Sequence, residues 1–238
     1  MYLLSFTSMK KTFFASLLLM AAVLPAKAQM VVLHMADNKT FECNVSQLDS
    51  ITFEDDGFIV VEEHEWIDLG LPSGTLWATC NVGANSPEEY GDYFAWGETK
   101  PKDKYNEDTY TFMDNPSELL SENDAATANW GANWQMPTVE QMKELYDNCT
   151  QVWTQQNGVY GILVTGPNGN TIFLPAAGAR WRDGLEYEGN SGAYWSSSIS
   201  TIYGGGAYHL HFASFYWDWG NDYRDSGDSV RPVRAKMR

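Results

Sequence analysis

The residues best suited to chemistry lie near the C-terminus, where large aromatic side chains alternate with short polar ones. Aromatic rings stack on sugar rings or apolar groups, while Asp, Asn, Ser and His supply adaptable hydrogen bonds. We therefore predict a ligand-binding surface over residues 209–226, in which residues 215–226 form a loop. Its candidate contact residues are His209, His211, Phe215, Tyr216, Trp217, Asp218, Trp219, Asn221, Asp222, Tyr223, Asp225 and Ser226. The alternative interpretation is that these aromatics fill a second small core beneath a long loop.

A second aromatic segment lies earlier in the chain and could extend the same surface. It contains Trp181, Arg182, Asp183 and Tyr187. The residue types alone are compatible with either an exposed or a packed segment.

Catalytic chemistry is not indicated by any spacing in the chain. There is no Gly-x-Ser-x-Gly motif, and the four histidines form neither a zinc-like spacing nor a set with a cysteine. Carboxylates are plentiful, but their spacing alone does not identify a glycosidase pair. We expect no catalytic residue and no cofactor.

The elements that must position the surface are short strands. Leu210 and Phe212 are two residues apart on a predicted strand, so they point to the same face, which we expect to be the core. His209 and His211 then lie on the opposite face. Further strands are predicted near residues 194–197 and 229–233. The surface should therefore be held by a rigid scaffold at both ends.

One helix and one hairpin are also predicted from local patterns. Thr138 and Gln141 form a capping box, and the apolar residues that follow fall on one helical face. That face comprises Met142, Leu145, Tyr146 and Cys149. Residues 161–164 and 171–174 are expected to pair across an Asn168-Gly169 turn.

The start of the chain predicts export. Lys10 and Lys11 precede an apolar run that ends at Pro25, and Ala26-Lys27-Ala28 supplies a small-residue cleavage site. We expect residues 1–28 to be a signal peptide, with the better start at Met9, and the mature protein to be periplasmic, at the cell surface or extracellular. No later segment reaches the roughly 20 apolar residues of a membrane span.

The charge balance argues against nucleic acid and anionic membranes as partners. The formal net charge is −16, and cleavage after residue 28 would bring it to about −19. Both kinds of partner require basic patches. Residues 29–64 read as an N-terminal segment of short strands, too small to form a core alone, so it must pack on the next domain or on a partner.

From residue 65 onward the chain resembles the Fibrobacter succinogenes major paralogous domain family. The resemblance rests on six segments in order, which are IDLGLPSGTLWATCNVGA (67–84), YGDYFAWGE (90–98), WQMPT (134–138), FLPAAG (173–178), YWSSS (194–198) and SVRPV (229–233). It implies an exported protein with a C-type-lectin-like fold over residues 65–238. That fold is similar to the one shared by formylglycine-generating enzymes and retroelement variable proteins.

The resemblance also implies roles for particular residues. In retroelement variable proteins the segment before the last strand contacts the ligand, which matches residues 209–226. Formylglycine-generating enzymes use a reactive cysteine pair near the C-terminus, and here no cysteine follows Cys149. Trp77, Trp96, Trp130, Trp134 and Trp195 lie in or beside these segments and are expected in the core.

Cysteine pairing and calcium are two further expectations. Cys80 lies in a family segment and Cys149 on the apolar helix face, so we predict a Cys80–Cys149 disulfide with Cys43 free; the alternative is three free thiols. Trp219-Gly220-Asn221-Asp222 is similar to the Trp-Asn-Asp of calcium-dependent lectins, but Gly220 interrupts it, and we expect no metal site.

The sequence thus predicts an α+β protein with short strands, few helices and long loops: a C-type-lectin-like domain preceded by a small β-hairpin segment. Its expected function is non-catalytic binding of a glycan or protein. The alternative is a structural or tip subunit of a surface assembly, attached through residues 29–61.

Overall fold

The computed structural model describes residues 64–202 and 205–234 in full, together with the backbone of six strands before residue 64. The chain divides into two compact units, residues 1–64 and 65–238. The strands of the first unit are β1 (Tyr2–Ser5), β2 (Ser16–Leu19), β3 (Met30–His34), β4 (Thr40–Asn44), β5 (Leu48–Phe53) and β6 (Ile59–Glu63). The first four form an antiparallel sheet in the order β1-β2-β3-β4, and β5 pairs with β6. Cleavage after residue 28 remains a prediction.

The second unit is a mixture of small sheets with two α-helices in the described residues, so the α+β class is confirmed. The helices are α1 (Ala125–Trp130) and α2 (Val139–Asn148), and Ser121–Asn123 is a short 3-10 helix. The strands are β7 (Trp66–Asp68), β8 (Leu76–Ala78), β9 (Tyr93–Phe94), β10 (Thr150–Gln156), β11 (Val159–Thr165), β12 (Thr171–Pro175), β13 (Ala179–Trp181), β14 (Gly184–Glu186), β15 (Ser191–Ile199), β16 (Gly206–Ala213), β17 (Tyr216–Tyr223), β18 (Asp228–Ser229) and β19 (Val233–Arg234).

The largest sheet has five strands in the order β17-β16-β15-β18-β9. It is antiparallel except where β15 runs parallel to β18. Three smaller sheets accompany it in this unit, in the orders β10-β11-β12, β13-β14 and β19-β8-β7. Strand β17 therefore lies at one edge of the main sheet.

Two apolar clusters cover the two faces of this sheet. Neighbouring side chains on a strand point to opposite faces, and Tyr194 and Trp195 of β15 belong to different clusters. One cluster includes residues of α1, and we call it the α1 core; the other includes Met142 and Leu145 of α2, and we call it the α2 core. The five tryptophans predicted to be core residues are all buried, as expected.

Helix α2 begins as the sequence predicts. The Thr138 hydroxyl accepts a hydrogen bond from the Gln141 N–H, and the Gln141 side chain accepts one from the Thr138 N–H. Met142 and Leu145 are buried, while Tyr146 and Cys149 are half-buried at the margin of the same face. The capping box and the apolar stripe are both confirmed.

The predicted hairpin is present as β11 and β12. Five residues, 166–170, separate the two strands, and the Gly166 N–H donates to the Asn170 carbonyl across them, so the connection is longer than a two-residue Asn-Gly turn. Gly169 has a φ of 87°, a left-handed conformation that glycine adopts without a steric penalty.

The predicted Cys80–Cys149 disulfide is wrong. Both residues are half-buried free thiols. Cys80 packs against the α1 core and Cys149 against the α2 core, so the two side chains are directed into different clusters. Burial and the charge of Glu144 raise the pKa of the Cys149 thiol to about 11. The side chain of Cys43 lies outside those that the structure describes.

Among the described residues, no helix has both the length and the apolar composition needed to cross a membrane.

Replacing Thr138 with Ala should lower the free energy of unfolding by about 1 kcal/mol, because the Gln141 N–H loses its acceptor at the start of α2. Denaturant titration of the purified protein measures this loss. Thr138→Ser keeps the hydroxyl and should stay close to the wild type. Equal losses in both variants would show that packing of the Thr138 methyl group, not capping, stabilises the helix start.

Candidate functional site

The segment predicted to be a binding loop is mostly a strand, so the loop prediction for residues 215–226 is wrong. Residues 216–223 form β17, and all eight pair with β16. The aromatic and polar residues at its start follow the two-residue period of a strand: Tyr216 and Asp218 are exposed, whereas Trp217 and Trp219 are half-buried.

Trp217 and Trp219 lie against helix α2 and do not form a free surface. The Trp217 ring centroid is 5.3 Å from that of Tyr146. Lys143 Nζ lies 4.1 Å from the Trp219 ring centroid, which is a cation–π contact. For these two residues the packing alternative is therefore supported.

The exposed aromatic residues cluster at the two ends of β17. Phe215 is 84% exposed and its ring centroid lies 5.0 Å from that of Tyr216. At the other end, Tyr223 is 65% exposed and its ring centroid lies 6.0 Å from that of Trp181 on β13. We call these four residues the aromatic rim.

The second predicted segment therefore adjoins the first through Trp181. Asp183 lies in the β13–β14 turn, 3.3 Å from Lys104 Nζ, and both side chains are largely exposed. Tyr187 is also exposed, just beyond β14. Arg182 has a φ of 56° at the turn between the two strands.

Several predicted contact residues are less accessible than expected. Asp225 and Ser226 are buried, and Asn221 and Asp222 are half-buried. Arg224 supports the fold: its guanidinium lies over the rings of Trp96 and Tyr110, and it donates to the Asp114 carbonyl.

His209 and His211 face away from the α2 core, as the strand parity predicts. Leu210 and Phe212 are buried in that core, whereas His209 Nδ1 lies 2.9 Å from Asp228 Oδ2 on the other face. His209 is nevertheless almost fully buried, because that face is covered as well. The ring centroids of the two histidines are 5.0 Å apart.

The electrostatics of the His209–Asp228 pair follow from its burial. Burial raises the pKa of Asp228 to about 6, although its hydrogen bond with His209 acts in the opposite direction. Burial opposes the charged form of His209, but the hydrogen bond and charge of Asp228 outweigh it and raise the pKa of His209. Burial and the neighbouring His209 lower the pKa of His211.

Asp222 joins this pair to make a cluster of possible metal ligands. One ligand atom from each of His209, Asp222 and Asp228 lies within 4.8 Å of the other two. Gly220 is opposite His209 in the register, and the histidine rings pack closely against it. A Cβ on Gly220 would lie 3.1 Å from His211 Cε1 and 3.9 Å from His209 Nε2.

Asp228 was not among the predicted site residues. The sequence shows only that Asp228 is an acidic residue next to the predicted strand at residues 229–233. Its contact with His209 depends on how strands that are distant in the sequence pair with one another. A second omission is the stacked pair Trp153 and Tyr160 on β10 and β11, whose ring centroids are 5.7 Å apart. Tyr160 is exposed, so this pair is another candidate aromatic surface.

Comparisons with protein families, with characterised proteins and with solved structures give no match. The resemblance to the Fibrobacter succinogenes major paralogous domain family therefore remains an expectation from the sequence.

The His209–Asp228 pair should make stability depend on pH in a defined direction. Both pKa values are raised in the folded state, so the folded protein binds protons more tightly than the unfolded chain. The stabilisation from Asp228 is complete below its unfolded pKa of about 3.9 and is lost as the pH rises through about 6. The contribution of His209 is lost at still higher pH.

Asp228→Asn removes the carboxylate and keeps the shape of the side chain. Between pH 4.5 and 7 the wild type should lose at least about 2 kcal/mol more stability than this variant, because Asp228→Asn also removes the carboxylate that raises the pKa of His209. Denaturant titrations with EDTA present measure the difference without interference from cations. Parallel pH profiles for the two proteins would contradict a raised pKa for Asp228.

Proposed function

We propose that this is an exported, non-catalytic recognition protein that binds a glycan or protein ligand through the aromatic rim and the outer side of β17. The observation that carries the proposal is the pair of exposed ring contacts, Phe215–Tyr216 and Tyr223–Trp181, at the two ends of an edge strand. Clustered exposed aromatic groups are typical of interaction sites.

The rim has the dimensions of an extended binding surface. Tyr216 and Tyr223 are seven residues apart on one strand, which corresponds to roughly 23 Å, and this odd separation directs their side chains to opposite faces of β17. A ligand that contacts both rings must therefore run along the free edge of this strand. Asp218 and the half-buried Asp222 share the Tyr216 face and supply carboxylate acceptors there. Rings that stack on flat apolar faces, with polar groups between them, suit a chain of sugars or an extended peptide.

The scaffold beneath the rim supports recognition because it is rigid. Strand β17 pairs along its whole length with β16, and Trp217 and Trp219 pack against α2. A binding surface that is already ordered loses less conformational entropy when the ligand binds. The formal net charge of −16 favours a neutral or cationic ligand over an acidic one.

We propose no catalytic step for this site. Asp228 is the hydrogen-bonding side chain that the described residues provide for His209, and no described serine or cysteine bonds to either of that histidine's ring nitrogens. The described residues therefore give no observation that favours covalent catalysis at His209.

Removing rim side chains should weaken binding without affecting the fold. Each of Phe215→Ser and Tyr223→Ser should cost about 2 kcal/mol or more, roughly thirtyfold in Kd, if that residue is a binding anchor. A panel of neutral glycans and extended peptides, titrated against the full chain, measures binding, and thermal unfolding measures the fold. Trp217→Ala should instead lower stability by about 3 kcal/mol, because that ring packs on α2.

Tyr160→Ser is the matched control, since it removes an exposed aromatic residue from a different sheet. It should leave binding unchanged. Loss of binding with Tyr160→Ser and not with the rim variants would move the site to β10 and β11. Binding that depends only on residues 29–61 would favour the structural-subunit alternative.

A further inference from the structure

We propose that His209, Asp222 and Asp228 bind a divalent first-row transition-metal ion of the zinc class. The proposal concerns the histidine side of the main sheet and does not depend on the recognition function. It replaces the expectation from the sequence that the chain has no metal site.

The three side chains come from three different strands and converge on one point. His209 is on β16, Asp222 on β17 and Asp228 on β18, and their ligand atoms all lie within 4.8 Å of one another. Zinc binds imidazole nitrogen and carboxylate oxygen at about 2.0–2.2 Å, so its ligand atoms lie roughly 3–4 Å apart. A small rotation of the half-buried Asp222 side chain would bring its carboxylate oxygen to this spacing from the other two ligand atoms.

The independent indication of a cation is the free oxygen of Asp228. This side chain is completely buried, and Oδ2 bonds to His209, but Oδ1 has no hydrogen-bond partner among the described residues. A buried carboxylate oxygen without a partner is costly. An ion at the centre of the cluster would satisfy Oδ1.

Gly220 keeps the histidine rings close to β17. It is opposite His209 across β16 and β17, and a Cβ there would lie 3.1 Å from His211 Cε1 and 3.9 Å from His209 Nε2. No positive φ requires glycine at this position. The absence of a side chain therefore lets the two rings pack against the strand that carries Asp222.

The donor set selects the class of metal. Imidazole nitrogen with two carboxylates suits zinc, cobalt or manganese, whereas calcium and magnesium prefer sites made wholly of oxygen. Three protein ligands leave at least one coordination position for water or for an oxygen of a bound molecule.

Metal binding to the untagged full chain tests the proposal. Isothermal titration with Zn²⁺ should show one saturable site that depends on Asp222, and Co²⁺ should give a visible absorption band from the bound ion. Asp222→Asn should weaken Zn²⁺ binding at least about tenfold and reduce the Co²⁺ band. Asp222 is partly exposed, so this variant is expected to fold.

Asp218→Asn is the matched control. Asp218 is on the same strand and face, and each of the two aspartates accepts a hydrogen bond from the N–H of the next residue. The control should bind Zn²⁺ and Co²⁺ like the wild type. Equal weakening in the two variants would indicate diffuse attraction to an acidic surface and overturn the proposal, as would the absence of saturable binding to the wild type.

Discussion

The second unit depends on the buried guanidinium of Arg231, which fixes the C-terminal segment in place. Arg231 is completely buried and lies between β18 and β19. It donates to the Asn81 side chain and to the carbonyls of Ala78, Thr79 and Phe173. The planar fork of arginine can reach several fixed acceptors at once, which a lysine cannot do.

The position of Asp228 in the candidate site depends on Arg231. Arg231 is three residues after Asp228, so the contacts that hold the guanidinium also set the position of β18 within the main sheet. From there Asp228 reaches His209 across β15. The two apolar clusters cover the faces of the same sheet, and Tyr216 and Tyr223 are exposed on its edge strand β17. The rim meets the histidine face of the sheet at Tyr216, whose ring centroid lies 5.4 Å from that of His211.

The sequence predicted those features that arise from local patterns. The capping box depends on Thr138 and Gln141, which are three residues apart. The burial of Leu210 and Phe212 on one face depends on the two-residue period of a strand. Both features could therefore be predicted from neighbouring residues in the sequence. β17 was missed because aromatic and polar residues in alternation occur both in strands and in binding loops. The pairing of Asp228 with His209 depends on strand order, and the Cys80–Cys149 prediction failed because the burial of a cysteine does not reveal which core it faces.

The function proposed for this protein depends on ligand binding at the aromatic rim. Hydroxyl-radical footprinting of the full chain, with and without the tightest-binding member of the glycan and peptide panel, measures which side chains the ligand covers. We expect the ligand to protect Phe215, Tyr216, Tyr223 and Trp181 from oxidation, while the stacked pair Trp153 and Tyr160 reacts as before. Protection of Trp153 and Tyr160 with an unchanged rim would contradict it.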